Sequence, residues 1–409
     1  MRYAVVTFGC RVNQADSLAV EAGLTSAGDV AVAPECADVV LVNSCSVTAS
    51  ADQGARQTIR RIQRENPAAR IVVTGCYATR CGDEVAALPG VAEVVRNDDK
   101  PRLLTVLRGA APGAGAEGPC GRLPGPGLMG RTAWTLRVQT GCDEPCSYCI
   151  IPTTRGTSRS RTLADVLAEL HRALDAGYKE VALSGVHLGG WGRDLPAPSR
   201  LGDLLAALAA ASGDFRVRVS SLEPMDCTPE VLGWLVERPD RFAPHLHLPL
   251  QHACDGVLAA MRRPYTAAAY AALVDDIRAR LPHAAIGSDV IVGFPGETDD
   301  DADALARYLE SSPLTHLHVF PYSDRPGTAA SALPDKVHGG VVKARAQRLR
   351  AISRTLSDRF RSSQAGTIRP ALTIDDGTVA VTDNYFKVPV PGGRVRNEWV
   401  RVAIPHAGD

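Results

Sequence analysis

The chain has 409 residues, and its 45 basic and 45 acidic side chains give a formal net charge of zero at pH 7. This length favours two or three domains over a single core. Zero net charge gives no global sign of a nucleic-acid partner, although it leaves room for local basic patches. The sequence has no apolar run of about 18 residues and no signal-peptide pattern, so we expect no membrane span and a cytoplasmic location.

Residues 1–107 are predicted to form an α/β domain. Three apolar segments, RYAVVTFGC, ADVVLVNSC and ARIVVTGC, each end in a cysteine, and helical segments separate them. Strands that alternate with helices form parallel sheets, and right-handed crossovers bring successive strand ends to one edge. We therefore expect Cys10, Cys45 and Cys76 to converge at the carboxyl edge of one sheet, where open α/β sheets bind ligands.

The chain contains 11 cysteines, and a cytosolic chain of this size rarely uses them as a disulfide framework. Free cysteine is also among the most buried residue types, so each strand-end cysteine alone is explained by packing. Three at equivalent strand ends favour metal ligands instead. The positions off these strand ends are assigned no role: Cys36, Cys81, Cys120 and Cys227.

Residues 108–130 are rich in Gly, Pro and Ala and are predicted to be a linker. Residues 131–360 again alternate strands and helices. Six strands are expected there: TLRVQT, EVALSG, FRVRVSS, HLHLPLQ, IGSDVIVGF and LHVFPYS. Six βα units predict a partial (βα)6 barrel of the TIM type, with its site at the carboxyl ends of the strands.

The first barrel strand leads into GCDEPCSYC, which spaces Cys142, Cys146 and Cys149 closely. Three thiolates hold three irons of a [4Fe–4S] cluster and leave the fourth iron open to S-adenosylmethionine (SAM), whose reductive cleavage yields a radical. A zinc knuckle is the alternative, with His187 or Cys254 as a distant fourth ligand. A plain electron-transfer cluster is another, and it would need a fourth cysteine.

The motifs together resemble the radical SAM methylthiotransferases over nearly the whole chain. The matching segments are FGCRVNQADS, VNSCSVT, VTGCYA, GCDEPCSYCIIPTTRG, SGVHLGGWG, HLHLPLQ and DVIVGFPGET. The resemblance implies an auxiliary [4Fe–4S] cluster on Cys10, Cys45 and Cys76, and two SAM molecules per turnover: one methylates a cluster-bound sulfur and the other yields the radical. It also implies an electron donor such as flavodoxin or ferredoxin, and leaves the sulfur donor open.

Within that family, GCRVNQ, NSCSVT, GVHLG, SSLEP and HVFPYSDRPGT resemble the branch that acts on threonylcarbamoyladenosine. The implied product carries a methylthio group at C2 of N6-threonylcarbamoyladenosine at position 37 of tRNA, next to the anticodon. Isopentenyladenosine in tRNA and a ribosomal-protein aspartate remain alternative substrates for the same chemistry. An RNA-binding iron–sulfur redox sensor is the alternative outside enzymes.

Several residues near the strand ends are candidates for binding SAM: Tyr148, Ser184, Gly185, Glu223 and Gly293. Turn geometry would equally explain the glycines, and a surface position the carboxylate. Three histidines are left without an assigned role, His187, His245 and His247, and barrel lining is the simple explanation of the two on strand HLHLPLQ. Gln251, at the end of that strand, is a candidate for substrate contact.

Residues 366–409 are predicted to form short strands and resemble a TRAM domain, a small RNA-binding β-barrel, although the segment is short and lacks an early strand. A single-stranded anticodon loop can present an unstacked base to the reactive centre. The expected contacts combine phosphate-binding cations with stacking aromatics. The candidates are Arg155, Tyr385, Phe386, Lys387, Arg394 and Arg396.

Overall fold

The computed structural model describes residues 1–109, 123–127 and 130–406. Its N-terminal part is a five-stranded parallel sheet in the order β2-β1-β3-β4-β5. The strands are β1 Arg2–Thr7, β2 Val30–Ala31, β3 Val39–Ser44, β4 Arg70–Gly75 and β5 Val91–Val95. The helices are α1 Arg11–Ser26, α2 Ala49–Glu65, α3 Cys76–Arg80, α4 Gly82–Ala86 and α5 Leu103–Arg108.

The apolar strands of this sheet are covered on both faces. Every residue of β3 is buried, as parallel strands between two helical layers require. One face of the sheet packs against the amphipathic helix α2 through Ile59 and Ile62, and the other packs against Leu24 of α1 and Leu103 of α5. The predicted parallel α/β architecture is therefore confirmed, with two further strands, β2 and β5, at the edges.

The central part contains six parallel strands in two three-stranded groups, β10-β9-β6 and β11-β12-β13. Parallel bridges from Val217 to Phe242 and from Ser221 to His247 connect the groups. The strands of this part are β6 Trp134–Arg137, β7 Gln139–Thr140, β8 Arg159–Ser160, β9 Glu180–Ser184, β10 Arg216–Val219, β11 His245–His247, β12 Ala285–Val292 and β13 His316–Pro321. The predicted six-stranded partial barrel is confirmed, and β7 and β8 form a small antiparallel pair beside it.

Helices cover the outside of this partial barrel. They are α6 Ile151–Arg155, α7 Leu163–Asp175, α8 Leu201–Ala210, α9 Pro229–Glu237, α10 Asp255–Ala260, α11 Ala267–Arg280, α12 Asp299–Ser311 and α13 Gly339–Gln364. The barrel core also includes Leu18 and Ala22 of the N-terminal helix α1, which pack in one cluster with Trp134 and Leu136 of β6. The N-terminal part and the barrel therefore share a hydrophobic core.

The C-terminal part is a four-stranded antiparallel sheet in the order β16-β15-β14-β17, which fits a small TRAM-like domain. Its strands are β14 Ile368–Ile374, β15 Val379–Thr382, β16 Lys387–Pro389 and β17 Trp399–Ala403. The Phe386 ring stacks on Phe360 of α13 at 5.1 Å between ring centroids. Within the described ranges, no helix is both long and apolar enough to span a membrane.

Candidate metal centres and the adjoining cavity

The three N-terminal cysteines follow three adjacent strands. Cys10 precedes α1 after β1, Cys45 follows β3, and Cys76 begins α3 after β4. Cys10 comes close to Cys45 because Gly9 carries no side chain: a Cβ on Gly9, whose φ is +89°, would lie 2.6 Å from the Cys45 sulfur. The structure therefore brings together the three cysteines that the sequence predicted to converge.

The environment of these cysteines fits metal ligands. Cys45 and Cys76 are buried and Cys10 is exposed. Burial, together with the neighbouring Cys76 and Cys10, raises the pKa of the Cys45 thiol to about 11. Thiols held this close in a water-poor site lose their protons when a metal supplies the positive charge. Three sulfur donors at one sheet edge suit an iron–sulfur cluster.

Arg155 lies beneath this triplet rather than on the surface. Only 3% of the side chain is exposed, and its guanidinium donates to Asn13 Oδ1 and to Asp16 Oδ2 at 3.2 Å. A third bond reaches Thr140 Oγ1 at 3.1 Å. The prediction that Arg155 contacts RNA is wrong, because its hydrogen-bonding groups face carboxylate and amide oxygens inside the protein.

Asp16 is the centre of a charge network between the two parts of the chain. Its buried carboxylate pairs with Lys100, Arg137 and Arg155. Burial alone would raise the pKa of Asp16, but the three cations outweigh it and lower the pKa to about 2. An ionised carboxylate from α1 therefore holds cations from the N-terminal part and from the barrel together.

The second triplet lies in the irregular segment between β7 and α6, and Gln139 fixes the base of that segment. Its Oε1 accepts from the backbone N–H groups of Val186 and His187, both at 2.9 Å. Its Nε2 donates to the Gly141 carbonyl at 2.7 Å, directly before Cys142. One buried amide thus ties the cysteine segment to the end of β9.

The sulfurs of this second triplet are partly buried. Burial, together with the nearby Cys146 and Cys142, raises the pKa of the Cys149 thiol to about 12. Arg263 donates to the Cys146 sulfur at 3.2 Å, which would stabilise a thiolate there. The donor set and its cationic neighbour fit a three-cysteine cluster site.

The spacing of both triplets argues against the zinc alternative. The thiolates of one tetrahedral zinc lie about 3.8 Å apart, given Zn–S bonds of about 2.3 Å, whereas a cubane holds its thiolates farther apart. Across the part of the chain that the structure describes, the one His/Cys/Asp/Glu group with all ligand atoms within 4.8 Å contains no cysteine. The Cys254 thiol donates to Asp301 instead of completing a site.

Two of the SAM candidates lie beside the second triplet. Glu223 forms an ion pair with Arg263, the residue that donates to Cys146. Tyr148, between the last two cysteines, packs its ring in a cluster with Met261 and Phe294. A carboxylate and an aromatic ring are therefore held close to the cysteine sulfurs.

The other three SAM candidates have structural explanations. Ser184 is buried, and its carbonyl accepts from Val138 N–H at 2.9 Å. A Cβ on Gly185 would lie 3.1 Å from Gln139 Oε1, so this glycine permits the Gln139 contacts. Gly293 donates its N–H to Glu297 at 2.6 Å, and a Cβ there would lie 2.4 Å from Val342 of α13. Helix packing explains Gly293.

His187, which the sequence left without a role, is buried next to Cys142. Its Nε2 lies 2.7 Å from Asp226 Oδ2, and Arg193 donates to the other oxygen of Asp226 at 2.6 Å. Burial lowers the pKa of His187, but hydrogen bonds to Asp226 and Cys142 outweigh it and raise the pKa to about 10. The segment GVHLG carries this histidine, yet only the fold shows that it reaches the cysteine loop.

A cavity of about 710 Å³ lies between the N-terminal triplet, the barrel and the C-terminal sheet. Cys10 borders it from one side, and Tyr385 borders it from the other. The half-exposed Tyr385 ring lies 4.7 Å from the His245 ring, and the Arg218 guanidinium lies 4.9 Å from its centroid. The inner face of the barrel contributes further side chains: His245, His247, Asp289, His316 and His318.

The remaining RNA candidates differ in their surroundings. Lys387 is exposed and lines a second, smaller cavity together with Arg11 and Arg131. Phe386 is 9% exposed and stacked on Phe360, so the prediction that it stacks on a base is wrong. Arg394 pairs with Glu398 at 2.5 Å, and Arg396 covers Gly127.

Comparisons with known proteins agree with this architecture. Residues 2–96 match the uncharacterized protein family UPF0004, and residues 136–309 match the radical SAM superfamily. The solved structure of the radical SAM methyltransferase TsrM from Kitasatospora setae has a TM-score of 0.57 at 16% identity, covering 81% of this chain and 75% of that one. This likeness shows the fold.

Curated relatives extend over nearly the whole chain. A threonylcarbamoyladenosine tRNA methylthiotransferase (MtaB) from Bacillus subtilis is 36% identical over 98% of this chain and 93% of its own length. An MtaB from Aquifex aeolicus is 33% identical over 99% of this chain and 100% of its own. A tRNA-2-methylthio-N(6)-dimethylallyladenosine synthase from Corynebacterium efficiens is 35% identical, covering 87% and 71%. The chain therefore belongs to the radical SAM methylthiotransferase family, whose enzymes use SAM and [4Fe–4S] chemistry.

Proposed function

We propose that this enzyme inserts a methylthio group at C2 of N6-threonylcarbamoyladenosine at position 37 of tRNA, using two [4Fe–4S] clusters. The observation that carries the proposal is the cavity of about 710 Å³, because Cys10 of the N-terminal triplet and the inner face of the barrel border the same space. A base placed there would be within reach of a sulfur held by the N-terminal triplet.

The fixed relation between the two triplets supports a shared reaction. The side-chain amide of Asn97 lies 3.8 Å from the Cys76 sulfur. The same amide donates to the Thr154 carbonyl at 2.7 Å, in the helix that follows Cys149. One side chain thus contacts both the helix after the second triplet and a ligand of the first triplet. This contact helps to fix the positions of the two sites relative to each other.

The residues around the second triplet have distinct tasks in this proposal. When bound, the cluster and SAM supply the one-electron chemistry of the superfamily. Arg263 donates to Cys146 and pairs with Glu223, which leaves that carboxylate placed for the amino or ribose groups of SAM. His187, hydrogen-bonded to Asp226, lies beside Cys142, and these contacts raise its pKa. An imidazolium there would stabilise the thiolate form of the ligand.

In this proposal, tRNA binds the part of the cavity rim that the C-terminal sheet forms. Tyr385 offers a half-exposed ring for stacking on a base. Lys387, Arg11 and Arg131 line the adjoining cavity and would bind phosphates. Arg394 and Arg396 lie on the same small domain and would extend this contact to the phosphates of the anticodon stem.

The choice of substrate is supported by the relatives. The chain covers 92–100% of the length of three MtaB relatives. The dimethylallyladenosine synthases are longer, and the chain spans 71–73% of them. Isopentenyladenosine and a ribosomal-protein aspartate remain as the alternatives that the experiment must exclude. A cytoplasmic location, with flavodoxin or ferredoxin as the electron donor, completes the proposal.

The test is mass spectrometry of nucleosides from bulk tRNA of cells that lack this gene. We expect loss of 2-methylthio-N6-threonylcarbamoyladenosine and accumulation of its unthiolated precursor. The wild-type gene and a variant of an exposed cysteine outside both triplets, Cys36→Ala, should restore the product. Cys45→Ala should not restore it. An unchanged tRNA profile in the deletion strain would contradict the proposed substrate.

A further inference from the structure

Two strands on the inner face of the barrel carry histidines on either side of a glycine. In the register of the parallel sheet, His247 of β11 pairs with Gly287 of β12, and Gly287 pairs with His316 of β13. One step farther along the same face, Asp289 pairs with His318. Since side chains alternate along a strand, these residues share one face.

The free nitrogens of the first two histidines point to one place. His247 Nε2 is bonded to Asp289 Oδ1 at 2.9 Å, and His316 Nδ1 to Thr315 Oγ1 at 3.0 Å. Their other nitrogens lie above Gly287, where an added Cβ would be 2.9 Å from His247 Nδ1 and 2.3 Å from His316 Nε2. The missing side chain leaves room for both.

His318 completes a group of three. Its ring lies 5.2 Å from the His247 ring and 5.6 Å from the His316 ring, measured between centroids. One nitrogen from each of the three histidines lies within 4.8 Å of the others. Barrel lining alone does not require three imidazoles to bring a nitrogen each into one group of this size.

We propose that His247, His316 and His318 bind a divalent transition-metal ion of the zinc class. Three imidazole nitrogens suit such an ion, whereas magnesium and calcium prefer oxygen ligands. The Asp289 carboxylate orients the His247 ring as outer carboxylates do at histidine–metal sites. Three protein ligands leave a coordination position open, and here it faces the cavity that Cys10 borders.

This site is separate from both cysteine triplets, although it borders the cavity in which the proposed function places the base. It uses none of the six cluster cysteines, and its donors belong to strands β11 and β13 on the barrel wall. The ligand that takes the open position is water or an oxygen donor of a molecule in the cavity. A metal here would bind in the absence of tRNA.

The experiment uses the anaerobically reconstituted holoenzyme, so that iron already occupies the cysteines. The protein is equilibrated with zinc chloride and a competing chelator, and zinc and iron are counted by mass spectrometry. Zinc K-edge absorption then identifies the ligand atoms. We expect one zinc per chain, with nitrogen or oxygen neighbours at about 2.0 Å and the scattering pattern of imidazole.

The variants make the test specific. His316→Gln and His318→Gln should each weaken zinc binding at least about 100-fold, and Asp289→Asn by about 10-fold to 100-fold. Gly287→Ala should also remove zinc, although it keeps all three histidines. His171→Gln, on an exposed position of α7, is the matched control and should bind zinc as the wild type does. Iron content reports that each variant is folded.

Two results would overturn the proposal. Sulfur neighbours at about 2.3 Å would place the zinc on cysteines. Equal zinc affinity in the wild type, His316→Gln and His318→Gln would show that the three histidines only line the barrel wall.

Discussion

The two cysteine triplets are built in opposite ways. Cys142, Cys146 and Cys149 share one short loop, whose base is fixed by the buried amide of Gln139. Cys10, Cys45 and Cys76 come from three strand ends, and their sulfurs meet only when the sheet and its contacts with the barrel are in place. The loop triplet depends on local geometry and the N-terminal triplet on the whole N-terminal fold, so damage to the fold should affect them unequally.

The largest expected effect is a complete division of two reaction steps, SAM cleavage and methylthio transfer, between the two triplets. Cys142→Ala, Cys146→Ala or Cys149→Ala should abolish formation of 5′-deoxyadenosine from SAM, measured by chromatography under reducing conditions. Cys10→Ala, Cys45→Ala or Cys76→Ala should leave that cleavage intact and stop methylthio transfer. Iron should fall from about eight to about four atoms per chain in either set. Equal loss of cleavage in all six variants would contradict the division.

Asp16→Asn should disturb the N-terminal triplet more than the triplet on the loop. The substitution leaves Lys100, Arg137 and Arg155 without their shared buried anion, which we expect to cost about 3–5 kcal/mol of unfolding free energy. Chemical denaturation measures the loss, and iron analysis should show fewer atoms at the N-terminal triplet. Asp38→Asn, at an exposed pair with Arg2, is the control and should leave the unfolding free energy nearly unchanged.

Gln139→Leu should have the opposite effect and disturb the triplet on the loop more than the N-terminal triplet. It leaves the N–H groups of Val186 and His187 without their acceptor, at a cost of about 2 kcal/mol, and loosens the loop that carries Cys142. SAM cleavage should fall while the iron of the N-terminal triplet is retained. Loss of iron from the N-terminal triplet alone would show that the local site is not held in this way.

The smallest effect concerns the helix that follows Cys10. Burial raises the pKa of Glu21 in α1 to about 8. The unfolded chain loses this proton near pH 4.5, whereas the folded chain keeps it until about pH 8. The unfolding free energy should therefore fall as pH rises through that range. Glu21→Gln should flatten this slope and gain about 1–2 kcal/mol at pH 8. Urea titrations at pH 5 and pH 8 measure this, and the same difference in unfolding free energy between the two pH values in the wild type and in Glu21→Gln would contradict the assignment.

The sequence alone predicted the features that depend on a periodic or strictly local pattern. Strands with alternating or continuous apolar residues were found, and the three strand-end cysteines converge because parallel crossovers leave them no other edge. Arg155 was misjudged because a basic run looks the same whether its arginine faces solvent or a carboxylate. Its partner Asp16 lies 139 residues earlier in the chain. The prediction that Phe386 stacks on a base was wrong for a similar reason, since its packing partner Phe360 belongs to a different element.

The histidine group shows what depends on strand register. Each pair, His245 with His247 and His316 with His318, is visible as an alternation, but the pairs lie about 70 residues apart in the sequence. Only the pairing of both strands with Gly287 brings them together. A one-residue shift of either strand would turn its histidines to the opposite face.

The packing of Leu18 and Ala22 against Trp134 has a consequence for how the molecule unfolds. The N-terminal sheet has core clusters of its own on both faces, but its helix α1 also contributes to the barrel core, so the sheet cannot unfold alone without exposing that contact. Heating should therefore give one cooperative calorimetric transition rather than two. A truncated chain that begins at the barrel would expose this apolar contact to water, so the barrel should be less stable alone than in the full chain.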